Sequence, residues 1–194
     1  MTVQRRARRR SMVGALVAVA AAVTLSACAG QPGAAAVVNG TAISGSDVHT
    51  AYQELSPYFT GATTANVLSV LVEEPTVTAL AAEQGVGVSP EDAQALLDSV
   101  VKEATPDEHP TFSEPSLAIA RYSVAYTNLQ KVADAEAVST ELAQRISALD
   151  VTVNPRFGTL GKGNAIGEPT TPAWIVAPTP APSDAPAPTP TPTP

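Results

Sequence analysis

The residue best placed to do chemistry is Cys28, the only cysteine among 194 residues. It closes the run Leu25-Ser26-Ala27-Cys28, in which a thiol follows three apolar or small side chains. A thiol is the group that a diacylglycerol transfer alkylates, and small neighbours are what a signal peptidase cleft admits. The residues before it serve the same purpose. Arg5, Arg6, Arg8, Arg9 and Arg10 make a basic n-region, Met12 to Val23 make a short apolar run, and the small-residue site follows. The run is too short, and its flanks are wrong, for a stable membrane-spanning helix. Leu25, Ser26, Ala27 and Cys28 therefore read as a lipobox, with lipid on Cys28 tethering the mature chain to the outer, extracytoplasmic face of the cell membrane. The competing reading is an ordinary secretory signal cut after Ala27 or Ala29. Arg9-Arg10-Ser11-Met12-Val13 also matches a twin-arginine signal loosely, and the general export route fits better. Without a second cysteine no intrachain disulfide can form, so the fold must hold by packing alone.

The remaining chemistry-bearing side chains do not assemble into a catalytic pattern. His49 falls in the first turn of an expected helix, where a solvated or capping role outweighs a catalytic one. His109 stands among Glu103, Asp107, Glu108 and Glu114, but in a proline-bounded loop without the i, i+4 presentation of a metal-binding helix. Glu73 and Glu74 are adjacent and read as a solvated edge. Gly161-Lys162-Gly163 lacks the spacing of a phosphate loop and follows no expected strand. No enzyme activity, cofactor, metal or small-molecule substrate is expected.

Charge excludes another class of partner. The chain carries 11 basic and 18 acidic residues, and five of the basic ones lie in the n-region. Cleavage before Cys28 leaves 6 basic against 18 acidic residues, a net −12. Such a surface repels nucleic acid and anionic lipid, which leaves the acyl chains as the membrane contact.

The elements that would position any site follow in order. Residues 1–27 are the signal peptide and 28–35 a Gly/Ala/Pro tether. Ala36-Val37-Val38-Asn39-Gly40-Thr41-Ala42-Ile43 places two short apolar arms around an Asn-Gly pair, the signature of a tight β-hairpin. Asn39-Gly40-Thr41 also fits a glycosylation sequon, and the turn explains the pair more simply. Ser44 and Asp47 start a short helix marked by Val48, Ala51, Tyr52 and Leu55 and ended by Pro57. A second helix runs from Asn66 to Gln84, with a kink or a division into two expected at Pro75, and Gly85 closes it. Ser89-Pro90-Glu91-Asp92 is the clearest helix start in the chain. From Ser116 to about Asp150 there is neither proline nor glycine, and apolar residues recur at three- and four-residue steps. That pattern predicts one helix of roughly 35 residues, about 50 Å long at 1.5 Å per residue, with part of its apolar face left open. Val151-Thr152-Val153 is a short strand that would return to the hairpin as its third member. Residues 159–194 are Gly-, Pro- and Thr-rich and are expected to form a disordered tail. The fold class is mainly α: a small hairpin, about four helices including one long C-terminal helix, and that tail.

This order resembles the N-terminal chaperone domain of SurA and PrsA type, whose helical arms also occur in trigger factor. The residues that carry the resemblance are the Val37-Val38-Asn39-Gly40 hairpin leading to Ile43 and Asp47, the helix from Leu68 to Ala81 ending at Gly85-Val86, the restart Val88-Ser89-Pro90-Glu91-Asp92, and the long final helix. The resemblance spans residues 36–158. It implies an extracytoplasmic folding factor that holds non-native exported polypeptides in an apolar helical cradle. Full-length members add a parvulin-type isomerase domain of about 90 residues. Here only 36 residues follow Gly158, without a histidine, so isomerase activity is not carried over. Tyr52, Tyr58, Phe59, Tyr122 and Tyr126 are the candidate client-binding side chains, against the competing reading that they are core. The alternative function is a structural or adaptor lipoprotein docking one envelope partner, its tail contacting the cell wall. Trp174-Ile175-Val176 is an apolar island in that tail.

Overall fold

The computed structural model describes residues 31–170. Cys28, the lipobox residues Leu25, Ser26 and Ala27, and the island Trp174-Ile175-Val176 lie outside the described residues. The chain begins with β1 (Ala34–Val38) and β2 (Thr41–Ser44), an antiparallel pair in which Val38 faces Thr41 and Val37 faces Ala42. Asn39 and Gly40 between them both adopt positive φ, 49° and 83°. That is the backbone a two-residue type I′ turn requires, and Asn and Gly are the residues that tolerate it. β3 (Val151–Val153) pairs with the other edge of β1, so the sheet order is β2-β1-β3 and the expected third strand is present. Two asparagines fasten this long-range pairing at its ends. The Asn39 Oδ1 accepts from the Asp150 N–H at 3.0 Å, and the Asn154 Nδ2 donates to the Ala34 carbonyl at 3.1 Å.

Five helices connect the outer strands: α1 (Gly45–Leu55), α2 (Thr64–Glu83), α3 (Pro90–Ala104), α4 (Glu114–Leu129) and α5 (Ala135–Ser147). Their starts follow side-chain chemistry. Ser44, Thr63 and Ser89 each accept a hydrogen bond from the backbone N–H three residues on, and Asp92 returns the bond to the Ser89 N–H to complete a capping box. α2 ends at Gly85, whose φ of 73° lets the Val86 and Gly85 N–H groups reach the carbonyls of Ala81 and Ala82.

Among the described residues, apolar side chains gather in three cores. The first packs α1 and the N-terminal half of α2 against the sheet, through Ala35, Ala36, Val48, Val67, Leu68 and Val72. The second surrounds the C-terminal half of α2, where Val77, Leu80 and Ala81 meet Ala125 and Leu129 from α4 and Val138 and Leu142 from α5. The third joins the end of α1 to α3 and α4 through Leu55, Leu97, Val101, Phe112 and Ala120.

Four expectations are corrected. The predicted 35-residue helix is two helices, α4 and α5, separated by a turn at residues 130–134. The reason is geometric. Along a straight helix Leu129 and Leu142 would stand about 20 Å apart, whereas the Val77 to Ala81 patch they share is only about 6 Å long. Turning the chain lets both sides of one short patch be covered, so the apolar face expected to lie open is largely buried. α2, by contrast, is not divided at Pro75. It continues as one helix, with the proline exposed and buried residues on either side of it. Ala34 and Ala35, expected in the tether, are buried strand residues. The first part of the expected tail is also ordered: β4 (Thr159–Leu160) and β5 (Ile166–Gly167) form a small hairpin around a 3-10 turn at Lys162–Asn164. That turn docks on the end of α5, where the Asn164 Nδ2 donates to the carbonyls of Ile146 and Leu149 at 2.8 and 2.9 Å.

Asn39→Val is expected to destabilise the domain by about 2 to 3 kcal/mol, combining left-handed strain on a β-branched residue with loss of the bond to Asp150. Asn39→Gly keeps the backbone freedom and should lose only about 1 kcal/mol. Urea denaturation of the two variants separates the contributions.

Candidate functional site

Among the described residues, polar side chains cross between helices at three places. The deepest is a knot around Glu54, near the end of α1. Its Oε2 accepts from the Ser113 N–H at 2.9 Å, the Ser113 hydroxyl at 2.8 Å and the Ser116 hydroxyl at 2.6 Å. Ser116 is fully buried. Ser113 occupies the N-cap of α4 but makes no cap bond of its own, so the Glu54 carboxylate meets the positive end of that helix instead. Burial pushes this carboxyl up. The bonds from Ser116 and from the Ser113 N–H and hydroxyl outweigh that effect and hold it below its ordinary value.

The second crossing joins α2 to α4. The Tyr122 hydroxyl donates to Glu73 at 3.0 Å, and the Arg121 Nε donates to Glu74 at 3.1 Å, with the other arm of the guanidinium on Glu114 at 2.8 Å. The expectation of a solvated Glu73–Glu74 edge is therefore corrected. Adjacent helix positions differ by about 100°, which lets an adjacent pair straddle a helix lying across them. Here the Glu73–Glu74 pair meets the adjacent pair Arg121–Tyr122. Burial, then the charge and hydrogen bond of Glu73, then Tyr126 push the Tyr122 hydroxyl up, so it remains a neutral donor at physiological pH. The third crossing is a fork from Arg145 on α5 to both oxygens of Glu83 on α2, at 2.9 and 2.7 Å.

The α4–α5 turn leaves a cleft of about 120 Å³ lined by Tyr126, Leu129, Ala135, Val138 and Leu142 together with the polar Gln130 and Ser139. A larger, more open hollow of about 490 Å³ shares Ala135 with it and is lined also by Ala133, Asp134, Glu136, Ala137 and Thr140. Tyr126 is 40 % exposed and stacks on Tyr122, with ring centroids 5.9 Å apart and planes at 11°. The cleft exists because the helix breaks where it does, and it is a concave surface of mixed apolar and polar lining.

The five candidate aromatics are not brought to one place. Tyr52 packs on the sheet-side core. Tyr58 packs on the third core, edge-on to Phe112 at 6.3 Å. Phe59, beside it, is 42 % exposed on the α1–α2 connection. Tyr122 and Tyr126 alone share a site, at the α4–α5 corner. His49 bonds the Gln53 side chain one turn along α1 at 2.8 Å, and His109 is exposed in the α3–α4 loop. Among the described residues no three His, Cys, Asp or Glu side chains are grouped so as to hold a metal ion. Lys162 and its flanking glycines do follow a strand, the two-residue β4, but they make the turn of a hairpin.

Glu54 and the α4–α5 cleft escaped the sequence reading. One signal for Glu54 was available: Ser113-Glu114-Pro115-Ser116 opens a helix with two hydroxyls. The cleft had no local signal, because it depends on the length of a patch on another helix. No family model, curated protein or solved structure matches this chain.

Glu54→Gln should lower stability at pH 7 by about 1 to 2 kcal/mol, because charge-assisted bonds become neutral ones. A depressed carboxyl contributes stability above its unfolded value of 4.5, and that contribution fades as pH falls through the lower folded value. The gap between the parent and Glu54→Gln should therefore narrow as urea melts are taken from pH 7 to below pH 4.5.

Proposed function

We propose that this chain is a lipid-anchored, extracytoplasmic polypeptide-binding module, a chaperone-like holdase of the SurA/PrsA N-terminal type without isomerase activity. The observation that carries the reading is the α4–α5 cleft. An exposed tyrosine, with a second tyrosine stacked against it, shares an uncharged lining with Leu129, Val138 and Leu142. Such a surface takes a large apolar side chain from an irregular polypeptide, while the flat tyrosine faces accept many such chains without a fixed hydrogen-bond pattern. Of the features from which the resemblance was drawn, the hairpin, the Gly85-Val86 stop and the Ser89-Pro90 restart stand in the fold, while the long final helix is two helices. Lipid on Cys28 would hold this module beside the membrane through which unfolded chains emerge. Among the described residues no helix is long and apolar enough to cross a membrane.

A second reading, an adaptor for one envelope partner, is favoured by a specific observation: most of the apolar face of α4 and α5 is buried on α2, leaving a small cleft rather than a long cradle. The two differ in selectivity. A holdase binds several unrelated unfolded proteins with similar affinity, and an adaptor ignores them and saturates with one partner in a crosslinking pull-down.

Tyr126→Ala is expected to weaken binding of a permanently unfolded protein by about five- to tenfold, as read by fluorescence anisotropy, with the fold retained because the ring is largely exposed. Unchanged affinity would overturn the assignment of the site. Cys28→Ser should move the protein from the detergent phase to the aqueous phase in a cloud-point partition. Retention in the detergent phase would sink the lipid anchor.

A further inference from the structure

We infer that Asn39 is a fold-guarded modification site: its amide stays intact while the β1–β2 turn and the β3 ladder are closed, and it cyclises onto Gly40 once they open. Of the asparagines in the chain, Asn39 alone is followed by glycine. The others precede Val67, Leu129, Pro155 and Ala165, which offer three nitrogens crowded by side chains and one without a proton. The Gly40 nitrogen is unhindered. Asn39 and Gly40 are both exposed, and among the described residues nothing lies within 4 Å of where a Gly40 side chain would stand. Water therefore reaches the site, and burial is not what preserves it.

The chemistry needs only water. The Gly40 backbone nitrogen gives its proton to solvent and attacks the Asn39 Cγ, forming an N–Cγ bond. The Cγ–Nδ2 bond breaks, and the amide nitrogen takes a proton from solvent and leaves as ammonia. Water then opens the five-membered imide. Cleavage of the new N–Cγ bond leaves an aspartate on an unaltered main chain. Cleavage of the original backbone C–N bond leaves an isoaspartate, whose main chain runs through Cβ and Cγ and is one atom longer. Nothing is oxidised or reduced.

The native turn opposes the first step. Ring closure requires the Asn39 Cβ and the Gly40 nitrogen to lie nearly eclipsed about the Asn39 Cα–C bond. With φ of 49° and 83°, Asn39 and Gly40 form the type I′ turn described above. In that turn the first central residue has ψ of about +30°, which sets its Cβ about 150° away from the following nitrogen, nearly opposite it. Rotating the bond into place would undo the pairing of Val38 with Thr41. Two bonds to the start of β3 resist the same rotation. The Asn39 N–H donates to the Asp150 carbonyl at 2.8 Å, and the Asn39 Oδ1 accepts from the Asp150 N–H at 3.0 Å. The second bond holds the carbonyl that the ring would incorporate.

An isoaspartate does not fit the closed form. Its extra main-chain atom is incompatible with a two-residue turn that sets Val38 opposite Thr41, and it displaces the oxygen bound to the Asp150 N–H. An aspartate keeps an acceptor there and is tolerated. A chain left open for long thus loses the turn that would close it again.

The test ages the full chain, purified in detergent, in native buffer and in concentrated guanidinium chloride at one mildly alkaline pH, beside a free peptide of residues 34–44. Mass spectrometry reads amide loss at each asparagine, and enzymatic methylation reads isoaspartate. Asn39 should react in denaturant as fast as in the peptide, and at least about tenfold more slowly in native buffer, as expected when opening of a local structure must precede the reaction. Equal rates in the two solutions, or no reaction in denaturant, overturn the proposal. Asn154→Ala removes the far-end bond to Ala34 without touching the turn, and should speed the native reaction about fivefold. An unchanged rate overturns the guarding role of the ladder, whereas a rise to the full denatured rate means that the variant has unfolded and supports it. Chains aged in denaturant and returned to native buffer should divide into a refolded fraction with amide or aspartate and a protease-sensitive fraction with isoaspartate. Isoaspartate in the refolded fraction, in the proportion in which it formed, overturns the loss of the turn. Asn39→Gly, aged in the same way, should refold in full; an equal loss in that variant places the damage elsewhere and overturns the proposal.

Discussion

Everything in this domain hangs on the double pairing of β1. Its five residues bond to β2 on one side, through a two-residue turn, and to β3 on the other, after more than a hundred intervening residues. The local pairing is nearly automatic once Asn39 and Gly40 take positive φ. The long-range pairing closes a large loop, which carries an entropic penalty that three short rungs alone do not offset. Asn39 and Asn154 lower the balance by giving each end of the ladder a side-chain bond to the opposite backbone. Buried Ala35 and Ala36 then tie the strand to α1 and α2, so the hairpin, unstable by itself, becomes the base on which the helices stand.

α2 is the shared beam of the structure. Its N-terminal half belongs to the sheet-side core, and its C-terminal half is embraced by α4 and α5. Polar crossings pin the helices in register along it: Glu73 and Glu74 to α4, and Glu83 to α5. This arrangement explains why a helix with a proline in the middle stays whole. Both halves are held from outside, so the missing backbone bond at Pro75 is borne by tertiary packing. It also explains why the helical arm after residue 129 turns back rather than running on.

How much of this was legible in the sequence follows from the range of the forces involved. The hairpin, the capped helix starts at Ser44 and Ser89, the Gly85 stop and the third strand were readable, because each is set by a few neighbouring residues with a strong conformational preference. The break at residues 130–134 was not, because no proline or glycine marks it and the decisive fact is how few turns of α2 offer apolar surface. The partners of Glu54, Glu73 and Glu74 were hidden for the same reason: a carboxylate looks solvated until the element lying over it is known. The ordered hairpin after residue 158 escaped because its two strands are only two residues long, and its stability comes from Asn164 on α5 and Ile166 on the first core. Of the candidate site, the sequence pointed to Tyr122 and Tyr126 but offered no means of separating them from Tyr52 and Tyr58, which the fold packs elsewhere.

The antiparallel register of β1 and β3 carries a mechanical consequence. Ala36 faces Val153 and Val38 faces Val151, so the chain enters β1 and leaves β3 at the same end of the sheet. Force applied between the segments before β1 and after β3 would peel the ladder open one rung at a time, instead of shearing all its bonds together. The first rungs to be loaded are those Asn154 makes to the carbonyls of Ala34 and Ala35. Once the hairpin after β3 has let go of α5 and the first core, a domain pulled from both ends would therefore yield from this corner.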